Sequence, residues 1–196
     1  MRIIGGRLKR SKLPVVSIPG LRPTPDRVRE TLFNWLGQDL TGWRVLDAFA
    51  GSGALGLEAV SRGAAHTLLI ERDGAVSAGL RATCKRLGVD GAMVMTSDAL
   101  QWMRRASPAR FDLVLLDPPF GEDLFVQALQ VAAPLVAAQG LLYLEADRPF
   151  QREDVLPFNL VPWRYGQAGA VHFHLFTTQA EGVHDYTGDP PAGSAS

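Results

Sequence analysis

From Trp43 onward, the chain alternates short apolar runs with segments of helical spacing, and this alternation constrains the fold more than any other feature. The apolar runs are almost continuous, as expected for the strands of a parallel sheet that is covered on both faces. The sequence therefore predicts an α/β fold. The predicted strands cover residues 44–47, 66–71, 92–95, 111–116 and 141–145, and the predicted helices cover residues 54–61, 75–87, 99–105 and 124–138.

A helix is predicted before this region and a hairpin after it. Thr24 is expected to cap the helix, Pro25 to be its first residue, and Gly37 to end it. A weaker hairpin signal precedes the helix, in the first 18 residues. The segments expected to pair as the C-terminal hairpin, around Gly166 and Gly169, are residues 159–165 and 170–177.

Bulk composition indicates one soluble, well-cored domain. The chain has 196 residues, of which 46% are hydrophobic, and contains no apolar run near the ~20 residues that span a bilayer. Basic residues lie where a signal peptide would be apolar, and the single cysteine, Cys84, excludes an internal disulfide. We therefore expect a cytoplasmic monomer without membrane attachment. Its expected parts are a basic arm or hairpin over residues 1–24, a folded domain over 25–180 and a disordered tail over 181–196.

The net charge of zero hides an asymmetry along the chain. Residues 1–30 contain eight basic and two acidic side chains, whereas the remaining residues contain 12 basic and 18 acidic side chains. A segment with this surplus favours a polyanion such as nucleic acid as its partner. The candidate nucleic-acid contacts are Arg2, Arg7, Lys9, Arg10, Lys12, Arg22 and Arg27.

The loop after the first strand carries a G-x-G-x-x-G pattern at Gly51, Gly53 and Gly56. Glu71 follows Gly51 by 20 residues, and this spacing alone would suit NAD binding. However, the strand ends in Asp47, which would place a negative charge beside the pyrophosphate. The loop also places Phe49 and Ala50 between this acid and the first glycine, Gly51, so the strand does not run directly into the glycine. An acid at this position favours a cationic ligand end, such as an ammonium or a sulfonium.

Three acids follow three successive predicted strands: Asp47, Glu71 and Asp98. The carboxyl ends of parallel strands form the usual ligand crevice, so these side chains are expected to lie together. Asp47 would face a cationic group, Glu71 would accept from ribose hydroxyls, and Asp98 would accept from an adenine amino group. S-adenosylmethionine has all three groups. Each acid also has a structural alternative: Asp47 as a loop cap, Glu71 as an ion-pair partner, and Asp98 as a helix N-cap.

A second motif, Asp117-Pro118-Pro119-Phe120, follows the strand predicted over residues 111–116. The carboxylate can accept a hydrogen bond from an amino group. Neither proline has an N–H, so the turn offers carbonyl acceptors, and the ring of Phe120 can stack on a flat heterocycle. Together these groups suit the binding of an exocyclic amino group on a nucleobase.

Residues 47–53 and 117–120 resemble the corresponding motifs of class I amino-methyltransferases. Residues 22–30, 32–34 and 56–64 narrow this resemblance to the RsmD family of bacterial 16S rRNA guanine-N2 methyltransferases, over roughly residues 1–180. The resemblance implies a Rossmann-like fold with a seven-stranded, mostly parallel sheet, helices on both faces and a small basic N-terminal extension. It also implies methylation of one guanine in 16S rRNA, within the small ribosomal subunit or an assembly intermediate.

The resemblance also implies a role for each matching position. Asp47, Phe49, Gly51 and Gly53 would line the methionine side of S-adenosylmethionine. Glu71 would hold the ribose, and Asp98 with Ala99 would hold the adenine. The segment that ends at Thr24 would cover the bound cofactor. The target base would be held by Asp117, Pro118, Pro119 and Phe120, and no metal is required. Phe120 stands where Tyr is common, which keeps the stacking surface and removes a hydroxyl.

Other functions share parts of these patterns. The Asp-Pro-Pro-aromatic motif also serves DNA adenine-N6 and protein glutamine methyltransferases, so it does not select the substrate. The glycine pattern alone would fit an NAD-dependent oxidoreductase. An RNA-binding protein that lacks enzymatic activity is a third alternative, but the complete set of Asp47, Glu71, Asp98 and Asp117 argues against it.

Overall fold

A computed structural model describes residues 1–14, 25–119 and 124–178 of the chain. The helices are α1 Asp26–Trp35, α2 Ala54–Ser61, α3 Gly74–Leu87, α4 Ala99–Met103, α5 Leu124–Ala132 and α6 Arg152–Val155. The strands are β1 Arg44–Asp47, β2 His66–Glu71, β3 Ala92–Thr96, β4 Phe111–Leu116, β5 Val136–Ala146, β6 Leu160–Ala168 and β7 Val171–Thr178. Single 3₁₀ turns cover Ala133–Leu135 and Leu156–Phe158.

The seven strands form one sheet in the order β3-β2-β1-β4-β5-β7-β6. Strands β1 to β5 are parallel, whereas β7 is antiparallel to both of its neighbours, β5 and β6. This confirms the expected seven-stranded, mostly parallel sheet. The parallel strands all end at the same side of the sheet, which we call the carboxyl edge.

Helices cover both faces of the sheet, because successive side chains of a strand point to opposite faces and both sets are apolar here. On one face, Val114 of β4 packs in a core shared with α4 and α5. On the other face, the neighbouring Leu113 packs with Leu32 of α1 and Leu55 of α2. Burying each of these side chains contributes about 1.5–3 kcal/mol to folding. The two core layers thus hold the strand ends, and the loops that follow them, in fixed positions.

The helix expected over residues 124–138 is shorter than predicted. α5 ends at Ala132, because Pro134 lacks an N–H and its ring clashes with the carbonyl one helical turn earlier. A 3₁₀ turn follows, and β5 then begins at Val136 rather than Leu141. The residues predicted to complete the helix therefore belong to the sheet.

Several other boundaries differ from the predictions by small amounts; α4, for example, ends at Met103 and not at residue 105. Pro25 occupies the N-cap position of α1, so the first helical residue is Asp26, and Thr24 lies outside the described residues. The C-terminal hairpin is confirmed, but Gly166 lies within β6 instead of the turn. A Cβ atom on Gly166 would lie 2.3 Å from the ring of Phe173, so this position requires glycine to let the two strands approach.

The N-terminal arm packs on the domain over the part that the structure describes, residues 1–14. Its two ends are joined by an antiparallel bridge between Arg2 and Lys12, and Ile3 and Leu13 are buried in a core shared with α2 and α3. Residues 15–24, where the second strand of the predicted arm hairpin would continue, lie outside the described residues, as does the tail over 181–196. No helix in the described parts of the chain is long and apolar enough to cross a membrane.

Candidate active site

The carboxyl edge brings three of the predicted acids together. β1 lies between β2 and β4, and Asp47 at its end is in register with Leu69 and Leu115. Glu71 and Asp117 follow these partners by two residues, and both interact electrostatically with Asp47. The central strand and its two neighbours therefore present Asp47, Glu71 and Asp117 as one group of carboxylates. Asp98, which the sequence groups with Asp47 and Glu71, instead caps α4.

Asp47 is the most deeply buried of these acids, with 1% of its surface exposed. Burial raises the pKa of its carboxyl to about 7, and the negative charges of Asp117 and Glu71 act in the same direction. Hydrogen bonds from the amides of Gly56 and Phe49 oppose this shift, and the bond from Gly56 is 2.9 Å long. Asp47 thus accepts from the loop amide of Phe49 as well as from the first turn of α2, so its structural alternative as a loop cap is realised. These two bonds do not offset the effect of burial on its charge.

The glycine loop is a tight turn that packs closely against its surroundings. Gly51 and Gly53 have φ values of 51° and 78°, which favour glycine. A Cβ atom on Gly53 would lie 2.5 Å from Leu80 of α3, and Phe49 is half-buried against the core beside α4 and α5. Because Gly51 and Gly53 have no side chains, a ligand at the strand ends can approach the backbone of this loop closely.

Glu71 fastens this loop to the end of β2. One oxygen of its carboxylate accepts a hydrogen bond from the amide of Gly51 at 3.0 Å, and the other accepts from the amide of Asp73 at 2.8 Å. A carboxylate has about four acceptor positions, so two remain for ligand hydroxyls. Glu71 can therefore hold a ribose without giving up its structural bonds.

Asp98 and Ala99 lie where β3 passes into α4. The exposed carboxylate of Asp98 caps α4 by accepting a hydrogen bond from the amide of Gln101 at 2.8 Å. Ala99 is buried beneath it. The structural alternative for Asp98 is therefore realised, and its carboxylate keeps acceptor capacity for an amino group.

The Asp-Pro-Pro motif continues directly from β4 at the carboxyl edge. Asp117 and Pro119 are partly exposed, whereas Pro118 is buried. Phe120 lies outside the described residues. The structure thus places the carboxylate of Asp117 beside Asp47, at an accessible part of the edge.

Comparison with known proteins shows the family of this chain. The family model described as "Conserved hypothetical protein 95" matches residues 1–177. The chain is 41% identical over 190 residues to ribosomal RNA small subunit methyltransferase D of Escherichia coli strain K12, covering 94% of this chain and 93% of that protein. The chain belongs to the RsmD family of methyltransferases. The protein of the same name from Haemophilus influenzae is 35% identical over 181 residues, which cover 90% of this RsmD-family chain and 93% of that protein.

A solved structure shares the architecture of this RsmD-family protein. The Escherichia coli protein yhhF superposes with a TM-score of 0.80 at 41% identity, covering 92% of this chain and 98% of that chain. The expected Rossmann-like class I methyltransferase fold is therefore confirmed.

Sequence reasoning missed a buried polar pair beside Asp117. Tyr143 of β5 is in register with Leu115, and its hydroxyl donates a hydrogen bond to Glu145 at 3.0 Å. Both side chains are almost fully buried. Burial raises the pKa of Tyr143 well above its usual range, and the charges of Glu145 and Asp117 add to this effect. The sequence signal that could have revealed this pair is Glu145, an acid at the end of an apolar strand, as Asp47 and Glu71 are.

The candidate RNA contacts in this RsmD-family chain are exposed wherever the structure describes them. This group comprises Arg2, Arg7, Lys9, Arg10, Lys12 and Arg27, whereas Arg22 lies outside the described residues. Arg86 of α3 adjoins them, since its guanidinium donates to the carbonyl of Lys12 at 2.7 Å. The arm therefore presents several cations to solvent, and it adjoins α3 at Lys12.

Arg29 is not one of the basic side chains available to a polyanion. It counts toward the basic surplus, yet its side chain is fully buried, 2.6 Å from Asp26 and 3.7 Å from Glu58. Glu58 is also buried and forms a further ion pair with Arg62 at 2.8 Å. This charge serves the packing of the arm instead of contact with a polyanion.

In residues 1–14, 25–119 and 124–178, no group of three or more His, Cys, Asp or Glu side chains could hold a metal ion. Cys84 is buried in the core between α2 and α3.

Proposed function

We propose that this protein transfers a methyl group from S-adenosylmethionine to the exocyclic N2 of a guanine in 16S rRNA. The carrying observation is the juxtaposition of Asp47, Glu71 and Asp117 around a tight glycine loop at the carboxyl edge. The relatives named ribosomal RNA small subunit methyltransferase D support the substrate class. The small ribosomal subunit or an assembly intermediate, in the cytoplasm, would be the substrate of the monomeric enzyme.

The residues of the carboxyl edge fit S-adenosylmethionine. The buried carboxylate of Asp47 lacks a compensating cation in its described surroundings, and the ammonium or sulfonium of the cofactor would supply one. The remaining lone pairs of Glu71 suit the ribose, and Asp98 with Ala99 suits the adenine. Phe49, Gly51, Gly53 and Thr24 are proposed to complete the cofactor site. When bound, the cofactor supplies an electrophilic methyl group.

Asp117 would orient and activate the nucleophilic nitrogen. The lone pair of a guanine N2 is delocalised into the ring, which makes it a weak nucleophile. Hydrogen bonds from its two protons to the Asp117 carboxylate and the Pro118 carbonyl favour a more tetrahedral nitrogen. Asp117 then accepts the proton that the nitrogen loses, directly or through water.

The rest of the motif would fix the base. Pro119 keeps the turn rigid, since its ring locks the backbone φ angle. Stacking on Phe120 would hold the flipped base with roughly 1–3 kcal/mol. Correct placement of two reactants accounts for much of the rate gain in reactions of this kind.

The alternatives for the site differ in how well they fit. An NAD pyrophosphate would need amide donors at the start of α2, but the Gly56 amide already bonds to Asp47. DNA adenine-N6 and protein glutamine remain compatible with Asp117 and its prolines. The exposed cations of the arm favour a nucleic acid over a protein, and the names of the relatives favour rRNA over DNA.

Replacing the Asp117 carboxylate tests the proposed chemistry. Because a general base contributes typically 10²- to 10⁴-fold, we expect Asp117→Asn to lower kcat by at least about 100-fold. The dissociation constant for S-adenosylmethionine should change by less than about threefold, since Asp117 faces the base in this proposal. Single-turnover methyl transfer and calorimetry measure the two quantities.

Asp112→Asn is the matched control. Asp112 lies on β4, the strand that Asp117 follows, but its carboxylate pairs with exposed Arg44 at 2.9 Å, a contact worth roughly 0.2–1 kcal/mol. This variant should keep both kcat and cofactor affinity. Equal losses of turnover and cofactor binding in Asp117→Asn would refute the role proposed for Asp117.

A further inference from the structure

A groove of about 240 Å³ runs along α4, outside the proposed cofactor and base sites. Its lining includes Trp102, Arg105 and Arg110, together with Ser97 and Gln101. None of the residues proposed for cofactor or target-base binding lines this groove. Ser97 directly precedes Asp98, so the groove begins at the carboxyl edge beside the proposed adenine contact.

The surroundings of this α4 groove carry a surplus of positive charge. Arg104, Arg105 and Arg110 lie between Asp98, which caps α4 beside the groove, and Asp112, which pairs with Arg44, and no other acidic residue lies in this stretch. All three arginines are exposed, and none forms an ion pair within the described parts of the chain. Exposed guanidinium groups without counter-ions create a local positive potential that attracts phosphates.

An aromatic ring stands beside these charges. Trp102 is partly exposed, and its ring packs against Phe111 with ring centroids 6.3 Å apart. The guanidinium of Arg110 lies 6.0 Å from the Trp102 ring and 5.7 Å from the Phe111 ring. Packing against the core therefore holds the indole in place next to a cation.

We propose that the α4 groove binds an unpaired segment of the rRNA that flanks the target nucleotide. Arg105 and Arg110 contact its phosphates, and a base stacks on the exposed part of Trp102. Positive charge combined with an aromatic platform is the pattern by which proteins hold single strands. This inference rests on the proposed function, because the target base enters the carboxyl edge where the groove begins.

Two neighbouring arginines provide a matched pair of variants. Arg105 and Arg104 are consecutive and both exposed, but only Arg105 lines the groove. Affinity for a uridine oligonucleotide of about 12 nucleotides is measured for the full chain over a range of salt concentrations. Each phosphate contact to a single strand contributes about 0.7 to the slope of log affinity against log salt.

Arg105→Glu should weaken oligonucleotide binding about tenfold and flatten the slope by about 0.7. Arg104→Glu should keep the wild-type slope. Trp102→Leu should weaken binding at every salt concentration without changing the slope, because stacking releases no counter-ions. The same slope in Arg105→Glu and Arg104→Glu would overturn the proposal.

Methyl transfer separates this inference from the proposed function. With small ribosomal subunits from cells that lack the protein, Arg105→Glu should raise KM about tenfold and leave kcat and S-adenosylmethionine affinity unchanged. An unchanged KM would count against the groove. Failure of the wild-type chain to methylate rRNA would refute the proposed function, and the oligonucleotide slopes would still decide whether the groove binds RNA.

Discussion

Asp47 combines a packing role with a proposed binding role. Its carboxyl accepts the Gly56 amide and lies close enough to α2 that a Cβ on Gly56 would come within 2.9 Å of it. Burial raises its pKa to about 7, so the carboxyl is close to half-protonated at neutral pH in the protein alone. A bound cation stabilises the ionised form, and cofactor affinity is therefore linked to proton release.

The affinity for S-adenosylmethionine should fall as the pH drops below about 7. Below its pKa the Asp47 carboxyl is protonated in the free protein, and binding must displace this proton. The dissociation constant should then rise by up to about tenfold per pH unit, as measured by calorimetry between pH 8 and pH 5.5. In Asp47→Asn the affinity should be lower at pH 8 and nearly independent of pH in this range.

Stability provides an independent check on the same group. The folded-state pKa of Asp47 lies above its ordinary value of 3.8, so the folded protein binds more protons than the unfolded chain between these two values. Its contribution to stability is therefore fully present below pH 4 and decreases as pH rises toward 7. At pH 8 without cofactor, Asp47→Asn should raise the free energy of unfolding by about 1–3 kcal/mol. A destabilised variant at pH 8 would contradict the buried-charge account.

Residue types at strand ends made most of the candidate site predictable. Asp47, Glu71 and Asp117 each terminate an apolar run, and parallel strands must end at one edge. Glu145 also ends an apolar strand, but its pairing with Tyr143 depends on the burial of β5 between β4 and β7. Such burial is a property of the assembled sheet, which the pattern of a single strand does not encode.

At the scale of elements, Glu58 connects the arm to the domain. Its two carboxylate oxygens accept the amides of Ile4 and Gly5 at 2.8 and 2.7 Å. The same carboxylate pairs with Arg62 and lies beside Arg29, both of which are buried. Because Glu58, Arg62 and Arg29 are all desolvated, removing the negative charge of Glu58 leaves Arg62 without its ion-pair partner and Arg29 with the half-exposed Asp26 alone.

Glu58→Gln should destabilise the protein by about 3–5 kcal/mol. It should also speed hydrogen exchange of the Ile4 and Gly5 amides relative to amides in β1, as the arm loosens from α2. Chemical denaturation and exchange mass spectrometry measure these effects. The control is Glu30→Gln, an exposed acid on α1 next to Arg29, which should change stability by less than about 0.5 kcal/mol. Equal stability of the two variants would contradict the proposal that Glu58 holds the arm on the domain.

Element boundaries were predictable where local chemistry decides them. The ends of α2 and the bounds of β1, β2 and β4 match the apolar pattern. The error at α5 arose because residues after Pro134 have helix-compatible composition, yet pairing with β4 draws them into the sheet. Long-range strand pairing overrides local propensity in such cases.

At the scale of the whole molecule, charge is divided between the arm and the rest of the chain. Arg7, Lys9 and Arg10 are exposed in the arm, whereas Arg29 is buried and lies beside the buried carboxylate of Glu58. The exposed part of the surplus is therefore smaller than the sequence count implies. Arg86 of α3 adds a further cation beside the arm, at Lys12.

Reversing two charges of the arm should weaken RNA binding and reduce its salt dependence. For Arg7→Glu/Lys9→Glu, the slope of log affinity against log salt should fall by about 1–2, measured with small ribosomal subunits. The control is Arg152→Glu/Arg164→Glu, two exposed cations on the opposite, β6 side of the sheet. If both double variants change the slope equally, the arm has no specific role in RNA contact.

Methyl transfer to the natural substrate class tests the central claim most directly. Small ribosomal subunits from cells that lack the protein are incubated with the full chain and S-adenosylmethionine carrying a labelled methyl group, and the modified nucleotide is mapped. The account predicts label on a single guanine of 16S rRNA, at the exocyclic N2. Tight cofactor binding without label on rRNA, or label on an adenine or a protein, would contradict it.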